Sequence, residues 1–239
     1  MSYIQILYHF FADNFPPVTL IIWLFPLATL YSFGLLFLAG NLRVIKHWHT
    51  GYSRKIYHFG IFIAAGYVQY RYGIAGTFIM GWAATLTVFT AIGCGRVSIL
   101  YRALGRDKDI PHVTFYILAP YFATLMGGIF NNIILGKKFA MYGYFVTGIG
   151  DAVGEPIGVR WGTKRIGNTH RTWQGTLGVT IANIMALGVA HYFVTGIASM
   201  SVDFIVVGMF CAVIEIISPH GWDNLTTQVA AASAMYYIL

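Results

Sequence analysis

Two carboxylates stand four residues apart in an otherwise apolar stretch of this sequence. Asp151 and Glu155 belong to the segment GIGDAVGEPIGVRWGTKR, which runs from residue 148 to residue 165. On an α-helix this spacing places both side chains on one face, about one turn apart. A carboxylate at the centre of a membrane helix costs about 2.5–3.5 kcal/mol on insertion scales, so it is expected to face a polar cavity, a metal ion or a counter-charge. A structural ion pair with a neighbouring helix is the simpler alternative.

The same segment contains glycines at four-residue spacing and a proline. Gly150, Gly154 and Gly158 form one stripe, along which another helix or a ligand can approach the backbone closely. Pro156 has no N–H to donate and predicts a kinked or unwound turn. Irregular backbone at membrane depth is tolerated where it lines a buried or watery cavity. The segment therefore predicts a site inside the protein.

A second group of acids follows in EIISPHGWDNLTTQ, residues 215–228. Glu215 ends one apolar run, and Asp223 and Asn224 begin the next. Together with Asp151 and Glu155, these residues would bring four of the chain's 8 acids to one face. Like charges that close require cations. Carboxylate oxygens beside phosphate-binding groups suit Mg²⁺ or Mn²⁺, because Mg²⁺ takes one or two carboxylates together with substrate phosphates.

Two basic segments could bind the phosphates. RWGTKRIGNTHRTWQG, residues 160–175, has cations and glycines whose N–H groups can point at an anion. SRKIYHFG, residues 53–60, can present two cations and an imidazole on one helical face. Basic residues beside a membrane span also anchor it, so neither segment is specific alone. The candidate nucleotide- and substrate-binding residues are Arg54, Lys55, His58, Gly150, Gly154, Gly158, Arg160, Lys164, Arg165, Arg171, Thr172, Gly175 and Asn224.

Composition defines the elements that must position these residues. The chain is 57% hydrophobic and 10% charged, against roughly 25% charged in soluble domains. Uncharged runs at 17–40, 72–95, 113–135 and 175–202 can each cross a bilayer, which takes about 20 residues. Runs at 139–161, 204–219, 56–70 and 225–239 are weaker candidates. The sequence predicts an all-α, polytopic transmembrane helical bundle of about seven spans, a single integral membrane domain over 1–239. Residues 1–16 are a possible interfacial helix, and 17–239 form the transmembrane bundle.

The positions of the basic residues orient the bundle. Twelve of the 15 cations fall in three alternate loops, between residues 43 and 55, 96 and 108, and 160 and 171. The positive-inside rule places those loops, and hence the active site, on the cytoplasmic side, with both termini on the other side. The net charge of +7 then reflects topology, and no stripe of basic and aromatic residues indicates nucleic-acid binding. No obligate protein partner is indicated.

Four short segments together resemble the motifs of the CTP-dependent lipid kinase family. They are RKIYH at 54–58, GDAVGEPIGVRWG at 150–162, RTWQGTLG at 171–178, and Glu215 followed by DNLTT at 223–227, and they occur in the family's order. This family includes the dolichol, phytol and polyprenol kinases and CTP-using diacylglycerol kinases, with phosphatidate cytidylyltransferases as distant relatives. The resemblance implies a multi-helix membrane enzyme that moves the γ-phosphoryl group of CTP to a lipid hydroxyl with a divalent metal. It also implies that Asp151, Glu215, Asp223 and Asn224 hold the metal–nucleotide, and that 164–175 bind phosphates.

The sequence departs from the family in one loop. The family usually has Lys-Ser-x-Glu-Gly where this chain has Arg171-Thr172-Trp173-Gln174-Gly175. Gln174 replaces an acid, and we expect it to cap the helix that begins near Gly175 rather than to act on a metal. The Glu155-Pro156 pair also differs from members that have a second Asp nearby.

The expected activity is therefore Mg²⁺-dependent phosphoryl transfer from CTP to a lipid alcohol in the bilayer. Asp151, Glu155 or Asp223 would accept the hydroxyl proton, and any of the four acids could contact the metal. Two alternatives stay open. The same groups could serve cytidylyl transfer to a lipid phosphate, or intramembrane acids could mark the ion pathway of a transporter. The sequence lacks a Gly-x₄-Gly-Lys-Ser/Thr loop, a His-Glu-x-x-His motif and a Gly-x-Ser-x-Gly elbow.

Overall fold

The computed structural model describes residues 2–167, 169, 171–219 and 221–239, and over these the fold is all-α. The helices are α1 (Tyr3–Asp13), α2 (Val18–Val44), α3 (Thr50–Gly93), α4 (Ile99–Leu104), α5 (Val113–Ile134), α6 (Lys137–Trp161), α7 (Trp173–Thr195), α8 (Val202–Ile217) and α9 (Asp223–Ile238). A 3₁₀ turn covers Asp107–Asp109. The all-α prediction is confirmed.

The long helix α3 is two antiparallel helices joined at Gly73. Gly73 has φ 65° and ψ −158°, a conformation that only glycine adopts readily. In a straight helix, residues eight apart are separated by about 12 Å along the axis. The hydroxyl of Thr77 nevertheless donates to Gln69 Oε1 at 2.9 Å, because the chain reverses between them. We call the two halves α3a (residues 50–72) and α3b (residues 74–93).

Four helices are long and apolar enough to cross a membrane: Val18–Val44, Thr50–Gly93, Val113–Ile134 and Trp173–Thr195. The predicted count of about seven spans is not confirmed. Without the short helices α1 and α4, and with α3 divided at Gly73, the described residues form eight longer helical segments: α2, α3a, α3b, α5, α6, α7, α8 and α9. Both termini lie on one side of a membrane only when the number of spans is even. The predicted seven spans are therefore incompatible with the prediction that both termini lie on the same side. The last two segments, α8 and α9, have 16 residues each, fewer than a span usually needs.

The predicted loops do gather at a common end of the bundle. Arg43, the last residue but one of α2, pairs with Asp107 of the 3₁₀ turn at 2.6 Å. Arg54, near the start of α3a, pairs with Glu155 in the last turns of α6. At the opposite end, Gln69 Nε2 donates to the Lys137 carbonyl oxygen at 2.8 Å. We call the end with Arg43 and Arg54 the basic end and the other the distal end.

Helix α6 lies at the centre of the bundle and carries the first pair of acids. Nine consecutive residues, 140–148, are buried. Its glycine stripe faces α7: a Cβ at Gly150 would collide with the Asn183 side chain, and one at Gly154 with Val179. The helix continues through Pro156 to Trp161, so the predicted unwinding is not found. Close packing of the glycine stripe against α7 fixes the neighbouring face of α6, with Asp151 and Glu155, toward α3a.

Candidate active site

The first half of the site is formed where α3a meets α6. The His49 ring caps α3a by accepting from the Gly51 N–H at 3.0 Å, and so fixes where the helix begins. Arg54 and Lys55 then follow in the first two turns. Lys55 Nζ lies 2.5 Å from Asp151 Oδ2 and 3.2 Å from Glu155 Oε2, while Arg54 donates to Glu155 Oε2 at 2.9 Å. The predicted counter-charges for the intramembrane acids therefore come from α3a.

His58 completes this half. Its Nε2 is 3.3 Å from Asp151 Oδ2 and 3.1 Å from the carbonyl oxygen of Thr147, one turn earlier on α6. Because both neighbours of Nε2 are oxygens, which accept hydrogen bonds, this nitrogen carries the hydrogen and acts as the donor. His58 thus holds the Asp151 carboxylate in place through its Nε2 nitrogen.

The second half of the site is organised by one guanidinium. Arg171 NH1 lies 2.5 Å from Glu215 Oε1 at the end of α8, and NH2 lies 3.0 Å from Asp223 Oδ2 at the start of α9. Arg171 therefore bridges the loop before α7 to both helices of the α8–α9 turn. The planar fork of an arginine suits this double contact, because its two NH₂ groups reach the two carboxylates separately, whereas a lysine has one ammonium group.

The two halves act on each other electrostatically. Burial opposes the positive charge of Arg171, but Glu215 and Asp223, followed by Asp151 and Glu155, outweigh burial and raise the pKa of the guanidinium. All four acids thus contribute to one field, as the sequence predicted. They do not form a single cage, because Lys55 and Arg54 hold one pair and Arg171 holds the other.

A largely apolar cavity of about 320 Å³ opens onto this cluster. At the basic end it is lined by Lys55, Asp151, Asp223 and their neighbours Arg54 and His58. From there it continues between α3b and α5, where most lining residues are hydrophobic. Glu155 and Glu215 are not among the lining residues. The cavity therefore offers two carboxylates, Asp151 and Asp223, to a molecule inside it.

The predicted phosphate-binding residues of the 160–175 loop divide in the structure. Arg160, Lys164 and Arg165 are exposed, whereas Arg171 turns inward to the acids. Asn168 and His170 of this loop lie outside the described residues. The loop folds back on itself, with the Ile166 N–H donating to the Arg171 carbonyl oxygen at 2.9 Å.

Several other predicted binding residues have structural contacts. Gly158 and Gly175 approach each other where α6 crosses α7, so with Gly150 and Gly154 they permit helix packing rather than line the cavity. The Thr172 hydroxyl accepts from the Gly175 N–H at 3.2 Å and caps α7. The Asn224 amide lines the cavity but donates to Thr124 Oγ1 at 2.8 Å and to the Pro120 carbonyl oxygen at 3.1 Å, joining α9 to α5.

The predicted capping role of Gln174 is wrong. Thr172 provides the cap, while Gln174 Oε1 accepts from the Thr163 N–H at 3.2 Å and Nε2 donates to Thr163 Oγ1 at 2.6 Å. Gln174 instead joins the start of α7 to Thr163, which lies two positions after the end of α6. Its side chain points to the loop and not to the carboxylates.

Sequence reasoning missed the capping histidine and the walls of the cavity. His49 stands just before an apolar helical run, and a polar side chain in that position is a signal for a cap. Thr85 of α3b and Tyr121 of α5 line the cavity and share a hydrogen bond of 2.6 Å. No local pattern marks these two, because they are 36 positions apart and lie in ordinary membrane segments.

The donor set determines what kind of metal site is possible. Among the described residues, no three His, Cys, Asp or Glu side chains converge as metal ligands. The described residues therefore do not form a metal site made of protein ligands alone. Asp151 and Asp223, two hard carboxylates at one cavity end, fit a Mg²⁺ that takes one or two carboxylates and completes its shell with phosphates and water.

The comparisons with known proteins agree with these motifs. No protein-family model matches the chain, and no solved structure matches it. The phytol kinase of Synechocystis sp. is 27% identical over 228 residues, which cover 90% of this chain and 92% of that protein. The similarity extends along nearly the whole length of both chains, and the relative is named for a kinase whose substrate, phytol, is a lipid alcohol.

Proposed function

We propose that this chain transfers the γ-phosphoryl group of CTP to the hydroxyl of a lipid alcohol of the polyprenol, dolichol or phytol type. The observation that carries the proposal is a single cavity, apolar along most of its wall, that ends at Lys55, Asp151 and Asp223. An apolar wall suits a hydrocarbon chain, and the charged end suits its hydroxyl and a phosphate donor. CTP as the donor rests on the family resemblance, and the cytoplasmic position of the site on the distribution of basic residues.

The reaction needs positioning and charge neutralisation more than covalent participation by the protein. The lipid hydroxyl oxygen forms a bond to the γ-phosphorus, the bond from that phosphorus to the β–γ bridging oxygen breaks, and CDP leaves. The hydroxyl proton passes to a carboxylate. Of the three candidates named from the sequence, Asp151 and Asp223 line the cavity and Glu155 does not. We therefore assign the base to Asp151 or Asp223.

The basic residues of the site have different roles. Lys55, the most enclosed of them, lies at the cavity end and can contact a transferring phosphoryl group while it neutralises Asp151. Arg171 holds Asp223 in place, and Arg54 holds Glu155. Mg²⁺ or Mn²⁺, bound by Asp151 or Asp223 together with the nucleotide, would supply neutralisation of charge on the β- and γ-phosphates. Arg160, Lys164 and Arg165 are placed to attract the nucleotide from solution.

The test is a radiolabelled transfer assay with the purified protein in lipid vesicles. We expect ³²P from γ-labelled CTP to enter the lipid phase in the presence of a polyprenol or phytol, with release of CDP and loss of transfer on EDTA addition. Transfer of label from α-labelled CTP with release of pyrophosphate would indicate cytidylyl transfer instead. Ion flux without transfer of either label would favour a transporter and overturn the proposal.

A further inference from the structure

The cavity follows one complete face of α5. Tyr116, Pro120, Thr124, Gly128 and Asn132, spaced by four, all line it, as do the residues that follow four of these. Sixteen residues of α-helix rise about 24 Å at 1.5 Å per residue. The cavity therefore extends from the basic end across most of the roughly 30 Å hydrocarbon core of a bilayer.

The cavity is long and narrow rather than wide. Its volume of about 320 Å³ lies at the lower end of the roughly 300–1,000 Å³ found for ligand pockets, although it extends along α5 from Tyr116 to Asn132. The hydrogen bond between Thr85 of α3b and Tyr121 of α5 also joins its two walls. A narrow apolar channel of this kind accommodates an extended hydrocarbon chain.

Aromatic side chains from α1 and α3b lie at the distal end of the cavity. Phe10 and Phe11 of α1 and Phe78 of α3b all line the cavity. The Phe11 and Phe78 rings stack with centroids 5.4 Å apart, and Phe10 meets Phe78 edge-on at 5.8 Å. Helix α1 has no buried residue. Phe15, in the segment that follows α1, packs on Trp82 of α3b with ring centroids 5.8 Å apart. This end of the cavity is thus lined by one aromatic cluster.

We propose that the hydrocarbon chain of the acceptor lies extended along α5 and that Phe10, Phe11 and Phe78 limit the chain length the enzyme accepts. The inference rests on the proposed function, since that function places the hydroxyl beside Asp151 and Asp223. With the hydroxyl there, the chain begins near Pro120, which contacts Asn224 beside Asp223. Its far end then reaches the aromatic cluster when its extended length is about 18 Å, the rise of the twelve residues from Pro120 to Asn132. Longer chains must displace the cluster. Phe10, Phe11 and Phe78 are then specificity-determining residues.

Photo-crosslinking tests where the chain lies, without any need for turnover. The probe is a primary alcohol of about this extended length that carries a diazirine on its terminal carbon, incubated with the protein in vesicles. We expect the labelled peptides to include residues 10–15 or 74–82. A matched probe with the diazirine beside the hydroxyl should label peptides near residues 120–124 or 221–224. Labelling of the lipid-facing surface of α2 or α7 by both probes would overturn the inference.

Chain-length selectivity tests the role of the aromatic cluster. We expect the ratio of kcat/KM for a long alcohol to that for a short one to rise about tenfold or more in Phe11→Ala/Phe78→Ala, because even one methylene in an apolar pocket changes selectivity by roughly tenfold. Tyr3→Ala is the matched control, because Tyr3 is an exposed aromatic of the same helix and does not line the cavity; its ratio should equal that of the wild type. An unchanged ratio in the folded double variant would overturn the inference. If γ-phosphoryl transfer fails altogether but the terminal probe still labels 10–15 or 74–82, the proposed function falls and the chain location stands.

Discussion

The ammonium group of Lys55 lies 2.5 Å from Asp151 Oδ2, joining the beginning of α3a to the inner face of α6 across 96 positions of sequence. Both side chains are almost enclosed, with 6% and 12% of their surfaces exposed. Burying a charge is unfavourable unless a partner compensates, so the pair holds the two helices in one relative position. The same pair lies at the charged end of the cavity, where a phosphoryl group could share the lysine.

Loss of Lys55 is expected to affect stability as well as activity. Lys55→Met removes the closest counter-charge of Asp151, and breaking a buried pair in this way typically costs about 3–5 kcal/mol. The double variant Lys55→Met/Asp151→Asn should recover part of that stability, since no uncompensated charge is left, while remaining inactive. Thermal unfolding in detergent and the transfer assay measure the two effects, with Lys138→Met, an exposed lysine at the distal end, as control. Full activity of the double variant would contradict a role for the pair in transfer.

The two acids that line the cavity should be essential to turnover. Asp151→Asn and Asp223→Asn keep the size of each side chain but remove the charge, and we expect kcat to fall by about two orders of magnitude or more. Asp203→Asn is the matched control, because Asp203 is an exposed acid at the start of α8, remote from the cluster. Near-normal turnover in both site variants, with the protein folded, would rule out the site.

Arg171 is expected to matter more than the exposed cations of its own loop. Arg171→Lys keeps the charge but replaces two separate NH₂ groups by one ammonium group, which holds Glu215 and Asp223 less firmly, so we expect at least a tenfold loss of kcat/KM for the nucleotide. Arg165→Lys should be nearly silent, because Arg165 is exposed and its charge is retained. Nucleotide titration of the transfer rate compares the two variants. Equal losses would show that the double contact of Arg171 is dispensable.

Replacing Gln174 by Glu should leave the metal dependence unchanged. The glutamate can still accept from the Thr163 N–H, and the Thr163 hydroxyl can donate in place of the lost amide, so the expected change in stability is within about 1 kcal/mol. Titration of activity against Mg²⁺ should give superimposable curves for the variant and the wild type. A large shift of the variant curve to lower Mg²⁺ concentration would mean that position 174 does reach the metal.

Cysteine labelling can establish the orientation of the bundle. In a Cys94→Ser background, which removes the exposed native thiol, Thr163→Cys should react only with reagents applied from the cytoplasmic side. Lys138→Cys should react only from the opposite side, and it is preferable to a substitution at Gly136, where φ is +86° and a side chain would be strained. The reverse pattern would discard the cytoplasmic active site.

The sequence by itself determined the class of the protein and the residues of the cluster. A composition rich in apolar runs predicts membrane helices wherever it occurs, and the spacing of Asp151 and Glu155 places both on one helical face without reference to any other element. The basic loops likewise predicted a common end, where the structure brings Arg54 and Arg171 to the acids. These inferences succeed because periodicity and charge position are local properties of the chain.

Tertiary structure decided which groups meet and what surrounds them. Whether the glycine stripe of α6 faced a helix or a ligand depended on the position of α7. Because the stripe packs against α7, Asp151 is directed toward Lys55. The reversal at Gly73 creates α3b, the wall that faces α5 across the cavity, and α1 reaches the distal end of the cavity from more than 60 positions away. Such contacts depend on packing between distant segments, each apolar and helical in its own right, and no local pattern distinguishes the partner that each segment will find.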